Sequence, residues 1–244
     1  MTGKLGSHTV TRAVVCAVCI VFVLGVGTGV SFAAQKVKQP RLLGTMEFKG
    51  KIQKLPKWSR VVTKMKSWKG YFQDAKTANH PSKSKWYAVK TQLKSKPDKD
   101  KLKAVTKFFN QWPYRLDKAN WGVSEYWATP WEFLRKSGDC EDYSIAKFYA
   151  LQELGFSQDH MRIVAVKDSI RGIGHAVLAV YVGDDIYILD NQTNMVLSHE
   201  KYKHYIPQYS VNEKYRWMHV APKKKSTFAK RKKSGTPSPK KATP

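Results

Sequence analysis

The sequence predicts an α+β fold in which helices come first and an antiparallel sheet follows. Apolar residues recur at helical spacing up to about residue 154, and β-branched segments bounded by Gly or Asp begin near residue 162. The chain has 244 residues and is 42% hydrophobic, which is enough for one domain with a buried core. Its three cysteines are too few for a disulfide-rich scaffold.

The net charge of +26 is distributed unevenly. Residues 35–104 carry a net charge of +16 and residues 222–244 carry +9, whereas residues 105–221 carry −1. A nucleic-acid-binding fold normally places its charge on the folded binding face. Because the best-patterned segment is nearly neutral, we expect no specific nucleic-acid partner. The basic segments instead suggest contact with an anionic surface.

The N-terminal segment has the pattern of an export signal. A basic start precedes an apolar stretch over residues 13–25, and small residues follow it. We therefore predict a cleaved signal peptide at residues 1–34. An uncleaved anchor is the alternative, because the segment is just long enough to span a bilayer. Cys16 and Cys19 lie within it, which leaves Cys140 as the one cysteine of the exported protein.

A basic lead-in and several helices are predicted next. Residues 35–57 are Lys-rich with few periodic apolar positions, so we expect an extended or partly strand-like lead-in before a domain at residues 58–221. Pro, Asn and Gly then break the chain between residues 113 and 130 into an aromatic-rich connection. Helices are expected over residues 58–72, 86–94, 102–112, 131–135 and 140–154, the last with Gly155 as its C-terminal cap.

Strands are predicted after the last helix. The turn Gly183-Asp184 separates two β-branched runs and indicates an antiparallel hairpin. The tail at residues 222–244 mixes Lys, Ser, Thr and Pro, which predicts disorder. Strands are expected over Arg162–Val166, His175–Val182, Asp185–Leu189 and Tyr215–Val220.

Cys140 is a candidate nucleophile because it begins a predicted helix, whose N-terminus favours a thiolate. His175 opens a strand and Asp190 closes the next one, so adjacent antiparallel strands would bring them together. An imidazole oriented by a carboxylate is what an active thiol needs. The alternatives are a buried structural cysteine, an ordinary histidine and an ordinary turn-forming aspartate.

Two segments carry a resemblance to a known family. The run GDCEDYSIAK at residues 138–147 and the run YWATPWEFL at residues 126–134 resemble the bacterial transglutaminase-like cysteine proteinases. The similarity extends over about residues 100–220. It implies a papain/transglutaminase-like cysteine protease fold, with the helix that carries the nucleophile packed on an antiparallel sheet. It also implies a triad, in which the nucleophile is Cys140, the general base is His175 and the orienting acid is Asp190.

The resemblance also implies a function. Within the family it points to periplasmic enzymes that clip a large surface adhesin near its N-terminus, at an Ala-Ala site, and so release cells from a biofilm. Such enzymes are inhibited by an inner-membrane receptor for cyclic di-GMP. The chain departs from the family pattern at Ala176, where Met is expected, at Glu125, where Asp is usual, and in its Lys-rich tail.

The acids around the nucleophile suggest a metal. Asp139, Glu141 and Asp142 place negative charge beside Cys140 and would raise its pKa. A bound cation reverses that effect, and carboxylate oxygens suit Ca²⁺. The resembling enzymes are similarly calcium-dependent, with the acids on either side of the cysteine as ligands. The alternative is that these acids simply stabilise the helix N-terminus.

Other functions remain open on sequence alone. A transglutaminase or an amidase would use the same Cys-His-Asp triad. A non-enzymatic exported protein could bind anionic polymer, lipid or nucleic acid through its basic segments. A zinc site at Cys140 has little support, because neither a paired cysteine nor closely spaced histidines accompany it.

Overall fold

The computed structural model describes residues 40–52, 55–67 and 81–222. The predicted signal peptide and nearly all of the predicted tail lie outside these residues. Within them, the helices are α1 (Pro56–Ser67), α2 (Pro81–Leu93), α3 (Asp98–Phe109), α4 (Asp117–Trp121), α5 (Pro130–Lys136) and α6 (Cys140–Glu153), and the strands are β1 (Met46–Lys51), β2 (Met161–Asp168), β3 (Ile173–Val182), β4 (Asp185–Leu189), β5 (Leu197–Ser198), β6 (Tyr205–Val211) and β7 (Tyr215–Val220).

One antiparallel sheet connects all these strands in the order β1-β7-β6-β2-β3-β4-β5. Alternate residues of β2 and β3 point to opposite faces, so the sheet has two apolar sides. One side packs against the helices, where Ile163 and Leu178 join a core with Trp58 and Phe148. The other side packs against the segment around Leu42 and a small second core.

Helix α6 is the central helix of the fold. Its apolar residues, including Ile145, Phe148 and Leu151, are buried on every side, which is typical of a helix enclosed by other elements. It contacts β2 and β3 on one side and α3 and α5 on the other. The first residue of α6, Cys140, is therefore fixed against the sheet by a rigid core.

The predicted helices are present, with shifted starts. Helix α1 confirms the first prediction up to Ser67, and the remainder lies outside the described residues. Helices α2 and α3 begin before the predicted starts, at Pro81 and Asp98. Proline suits the first turn of a helix, where its missing N–H costs nothing, and Asp98 and Asp100 favour a helix N-terminus. The connection between α2 and α3 therefore ends at Pro97.

The predicted strands are also present, and three further elements were missed. The short elements α4 and β5 have too few residues for a periodic pattern. Strand β6 contains Pro207, which argues against a strand in sequence analysis. The register between β2 and β6 shifts after Ala165, and this irregularity lies where Pro207 pairs with Val166.

Strand β1 changes the expected start of the domain. The lead-in at residues 35–57 was predicted to be at most partly strand-like and to precede the domain. Its strand pairs with β7 along its whole length, from Met46 opposite Val220 to Lys51 opposite Tyr215. The sheet therefore begins within the lead-in rather than after residue 57.

None of the helices in the described part of the chain is long and apolar enough to cross a membrane.

The stability of the folded chain should depend on pH, because His219 is buried where β7 pairs with β1. His219 lies between the hydroxyls of Thr45 (2.9 Å) and Ser210 (2.8 Å), and burial lowers its pKa below 6.5. The unfolded chain therefore takes up a proton near pH 6.5 while the folded chain does not, so stability present above that pH is lost as the pH falls. We expect the urea midpoint to fall between pH 7 and pH 5.

The variant His219→Gln should lose less stability over this range than the unaltered protein. In this variant the urea midpoint still depends on pH, and part of this remaining slope comes from His199, because burial lowers its pKa as well. Exposed His160 provides the matched control, because His160→Gln should leave the slope unchanged. An unchanged slope in His219→Gln would contradict the assignment.

Candidate active site

Strands β3 and β4 bring His175 and Asp190 together. Leu178 pairs with Leu189, and continuing this register places Asp190 opposite Val177. His175 is then a diagonal neighbour on the same face. Its Nε2 lies 2.9 Å from Oδ1 of Asp190. Because a carboxylate only accepts hydrogen bonds, Nε2 carries the proton and Nδ1 is left as the basic nitrogen.

Asp190 is buried, and both carboxylate oxygens have donors. The backbone N–H of Gln192 donates to Oδ1 at 3.0 Å, and the hydroxyl of Tyr205 donates to Oδ2 at 2.6 Å. Hydrogen bonds with His175 and Tyr205 lower the pKa of Asp190, although burial alone would raise it. Asn110 at the end of α3 donates to the carbonyl oxygen of Asp190 at 3.0 Å. Sequence reasoning missed these supporting residues, because no motif connects them with Asp190.

Cys140 is partly exposed at the start of α6. The backbone N–H of Ala176 is near enough to the sulfur to lower the pKa of the thiol, so Cys140 lies beside the residue that follows His175. The sulfur is also 3.3 Å from Oε2 of Glu141. Burial, followed by the charges of Glu141 and Asp139, raises the pKa of Cys140, and the Ala176 N–H opposes this rise. The thiol thus lies beside strand β3, which carries His175, but the negative charges around it oppose its ionisation.

Three buried aspartates meet next to the thiol. Asp117, Asp139 and Asp142 each offer a carboxylate oxygen, and these atoms lie within 4.8 Å of one another. The backbone N–H of Tyr126 donates to Asp117, and that of Ala128 donates to Asp142 at 2.6 Å. Asp142 also accepts a hydrogen bond from the N–H of Asp139 at 3.3 Å. We refer to Asp117, Asp139 and Asp142 as the aspartate cluster.

The aspartate cluster fits a hard cation. Oδ1 of Asp117 and Oδ1 of Asp139 are buried and accept no hydrogen bond. None of the cationic side chains in the described residues forms an ion pair with the cluster. Burial raises the pKa of Asp117 to about 6, and it also raises the pKa of Asp142 well above its ordinary value. Clustered carboxylate oxygens of this kind are ligands that Ca²⁺ favours.

The cluster differs from the predicted ligand set. Asp139 and Asp142 belong to it, whereas Glu141 lies in a second group with Asp139 and Cys140. That second group includes a thiol, a soft ligand that suits transition metals better than Ca²⁺. Burial and a hydrogen bond with Asp139 raise the pKa of Glu141 to about 10. Asp117 was missed because it lies far upstream, in the aromatic-rich connection, and no spacing pattern links it to the cysteine.

Glu132 fixes the loop that supports the aspartate cluster. It caps α5 together with Thr129, and it forms ion pairs with Arg60 and Lys64 of α1 at 3.1 Å each. Although burial opposes it, hydrogen bonds from Arg60, Thr129 and Lys64 lower the pKa of Glu132 to about 2. Arg60 also donates to the carbonyl oxygen of Trp127 at 2.6 Å. Helix α1 thereby holds the loop whose N–H groups bind Asp117 and Asp142.

A thiol at a helix start, beside a His-Asp pair carried by an antiparallel sheet, defines the papain-like class of cysteine proteases. The sequence profile of the bacterial transglutaminase-like cysteine proteinases (BTLCP) matches residues 61–225. The chain belongs to this family and is a cysteine protease. This membership sets aside the non-enzymatic alternative. No curated protein matches the chain.

Solved structures of LapG from Legionella pneumophila are similar to the chain. One is 29% identical with a TM-score of 0.54, and the match covers 64% of this chain and 87% of that one. An EGTA-treated form is also 29% identical, with a TM-score of 0.54 and coverages of 64% and 84%. A calcium-bound form is 28% identical, with a TM-score of 0.54 and coverages of 68% and 92%. The α+β, papain/transglutaminase-like fold class is thus confirmed.

The close approach of Gly138 to the aspartate cluster gives a prediction. A methyl group on Gly138 would lie 2.0 Å from Oδ2 and 2.6 Å from Cβ of Asp142. Gly138→Ala should therefore displace the Asp142 side chain and lower the free energy of unfolding by about 1–3 kcal/mol. A methyl group on Gly50 meets only the Arg216 side chain, at 3.8 Å, so Gly50→Ala is the matched control. Equal melting temperatures for the two variants would refute this account.

Proposed function

We propose that this chain is a calcium-dependent periplasmic endopeptidase that cleaves the N-terminal region of a large surface adhesin. The observation that carries the proposal is the arrangement of three groups. His175 and Asp190 form a buried pair at 2.9 Å, and Cys140 at the start of α6 lies beside Ala176, the residue that follows His175. Nucleophile, base and orienting acid are thus on adjoining elements of one core.

The proposed reaction begins with proton transfer from the Cys140 thiol to His175. Nδ1 of His175 is the acceptor, because Nε2 is committed to Asp190. The thiolate attacks a peptide carbonyl carbon, and the amine leaves with the proton from His175. Water then hydrolyses the acyl-enzyme with His175 as the base. Asp190 stays ionised throughout, because Tyr205 and Gln192 continue to donate to it.

The aspartate cluster explains the expected calcium dependence. Without compensation, the charge beside Cys140 opposes formation of the thiolate. A cation held by Asp117, Asp139 and Asp142 would supply positive charge there. The buried, unpaired oxygens of Asp117 and Asp139 support this assignment, and the calcium-bound and EGTA-treated forms of LapG make it a natural one for a similar chain.

The substrate and the regulator are proposed by similarity. The resemblance of the runs at residues 126–134 and 138–147 implies a large adhesin as substrate and an inner-membrane cyclic di-GMP receptor as inhibitor, and we propose both for this chain. The export signal predicted at residues 1–34 supports the periplasm as location. The basic lead-in and tail fit an additional contact with an anionic surface.

Substitutions in the proposed triad should abolish or slow peptide cleavage. We expect no cleavage of an adhesin N-terminal fragment by Cys140→Ala. Asp190→Asn should lower kcat by about 10²–10⁴, because the imidazole loses its orientation. Exposed Asp159→Asn is the matched control and should leave kcat unchanged. Mass spectrometry of the products in the presence of an amine donor separates hydrolysis from transglutamination, and amine incorporation without cleavage would overturn the proposal.

Calcium affinity should depend on the aspartate cluster more than on Glu141. We expect Asp117→Asn to weaken calcium binding by about tenfold or more, because it removes a charged ligand oxygen. Glu141→Gln should weaken it less, since Glu141 lies outside the cluster. Isothermal titration calorimetry measures both affinities independently of activity, and EGTA should abolish cleavage by the unaltered enzyme. The opposite order of affinities would return Glu141 to the ligand set in place of Asp117.

A further inference from the structure

Tyr114 lies next to the nucleophile, and the mechanism above gives it no role. Its backbone forms an isolated parallel bridge with Gly138, and the N–H of the following residue, Arg115, donates to the carbonyl oxygen of Gly138 at 2.9 Å. Gly138 is two residues before Cys140, so the bridge fixes Tyr114 against the segment that enters α6. Tyr114 is 53% exposed, which leaves it accessible to a substrate.

The ring of Tyr114 is placed by a second contact. It stacks on the ring of Tyr143 with a centroid distance of 6.4 Å and an interplanar angle of 13°. Tyr143 is three residues after Cys140 on α6, so the two share one face of the helix. Stacking on Tyr143 therefore brings the Tyr114 ring to the side of the helix that carries the sulfur.

The electrostatic surroundings of Tyr114 agree with this placement. Burial, followed by the charges of Cys140, Asp139 and Glu141, raises the pKa of Tyr114. The phenol therefore keeps its proton across the neutral range and remains a hydrogen-bond donor. Two other tyrosine hydroxyls near the site are already engaged, because Tyr143 donates to the carbonyl oxygen of Trp112 and Tyr205 donates to Asp190.

The proposed reaction needs donors for a developing negative charge. When the thiolate sulfur bonds to the carbonyl carbon, the π electron pair moves to the oxygen, which becomes an oxyanion. The backbone N–H of Cys140 is one donor, because the first N–H groups of a helix have no intrahelical acceptor. An oxyanion hole commonly combines such an N–H with a second donor from another segment.

We propose that the hydroxyl of Tyr114 is this second donor, so that Tyr114 is a catalytic residue of the peptidase. The inference rests on the proposed peptide hydrolysis at Cys140. Tyr114 donates a hydrogen bond to the oxyanion and keeps its own proton. When the C–N bond breaks, the electron pair on oxygen re-forms the carbonyl, and the leaving nitrogen takes its proton from His175.

The test compares Tyr114→Phe with the unaltered enzyme in the presence of Ca²⁺. We expect kcat for an adhesin-derived peptide to fall by about 10²-fold, as for loss of one oxyanion donor, with KM unchanged within about twofold. Alkylation of Cys140 by iodoacetamide should keep its rate, because displacement at a saturated carbon forms no oxyanion. Inhibition by a peptide aldehyde, which forms a hemithioacetal with the thiol, should weaken by at least about tenfold.

Tyr187→Phe is the matched control, because Tyr187 lies on β4, where its ring faces Nζ of Lys99 at 5.1 Å from the ring centroid. It should leave all three measurements unchanged. An unchanged kcat in Tyr114→Phe, a change in KM alone, or slower alkylation would each overturn the role of Tyr114 while leaving the peptidase proposal intact. If the unaltered enzyme cleaves no adhesin peptide at all, the proposed function itself fails, and the inference fails with it.

Discussion

The central feature of the site is electrostatic repulsion between its carboxylates and the ionised form of the Cys140 thiol. Its single thiol starts a helix whose first turn and approach carry Asp139, Glu141 and Asp142, and Asp117 adds a further carboxylate from α4. Like charges at this spacing destabilise one another and oppose ionisation of Cys140. Buried negative charge persists in a protein only when something compensates for it. Any positive charge held by the cluster would therefore favour ionisation of the Cys140 thiol.

The rest of the fold keeps these groups in place. The hairpin β3–β4 sets the register that joins His175 to Asp190, and α6 is enclosed by the sheet and two other helices. Glu132 extends this rigidity to the loop around residues 126–128, because it ties α5 to α1 through two ion pairs. Disturbing α1 would therefore disturb the aspartate cluster, although that helix contributes none of its carboxylates, since the loop N–H groups orient them.

Sequence patterns were sufficient where the signal is local. The helix that starts at Cys140 follows from apolar periodicity, and the pairing of His175 with Asp190 follows from a two-residue turn between two β-branched runs. The positions of Asp117 and Tyr114 near this helix start do not follow from the sequence, because tertiary contacts alone bring them there, across a connection without a periodic pattern. Strand β6 was missed because its proline lies at an irregularity in the ladder that a sequence does not display.

The pairing of β1 with β7 bears on the order of folding. The hydrogen bond between Thr45 and His219 joins positions 174 apart in the sequence. Strand β1 therefore cannot pair until β7 is available. Closing so long a loop is slow, because its entropy is lost before the contacts form. A chain that emerges from its N-terminus keeps β1 unmatched until β7 has been synthesised. Shortening the chain before Tyr215 would remove β7 and leave β1 without its neighbour in the sheet.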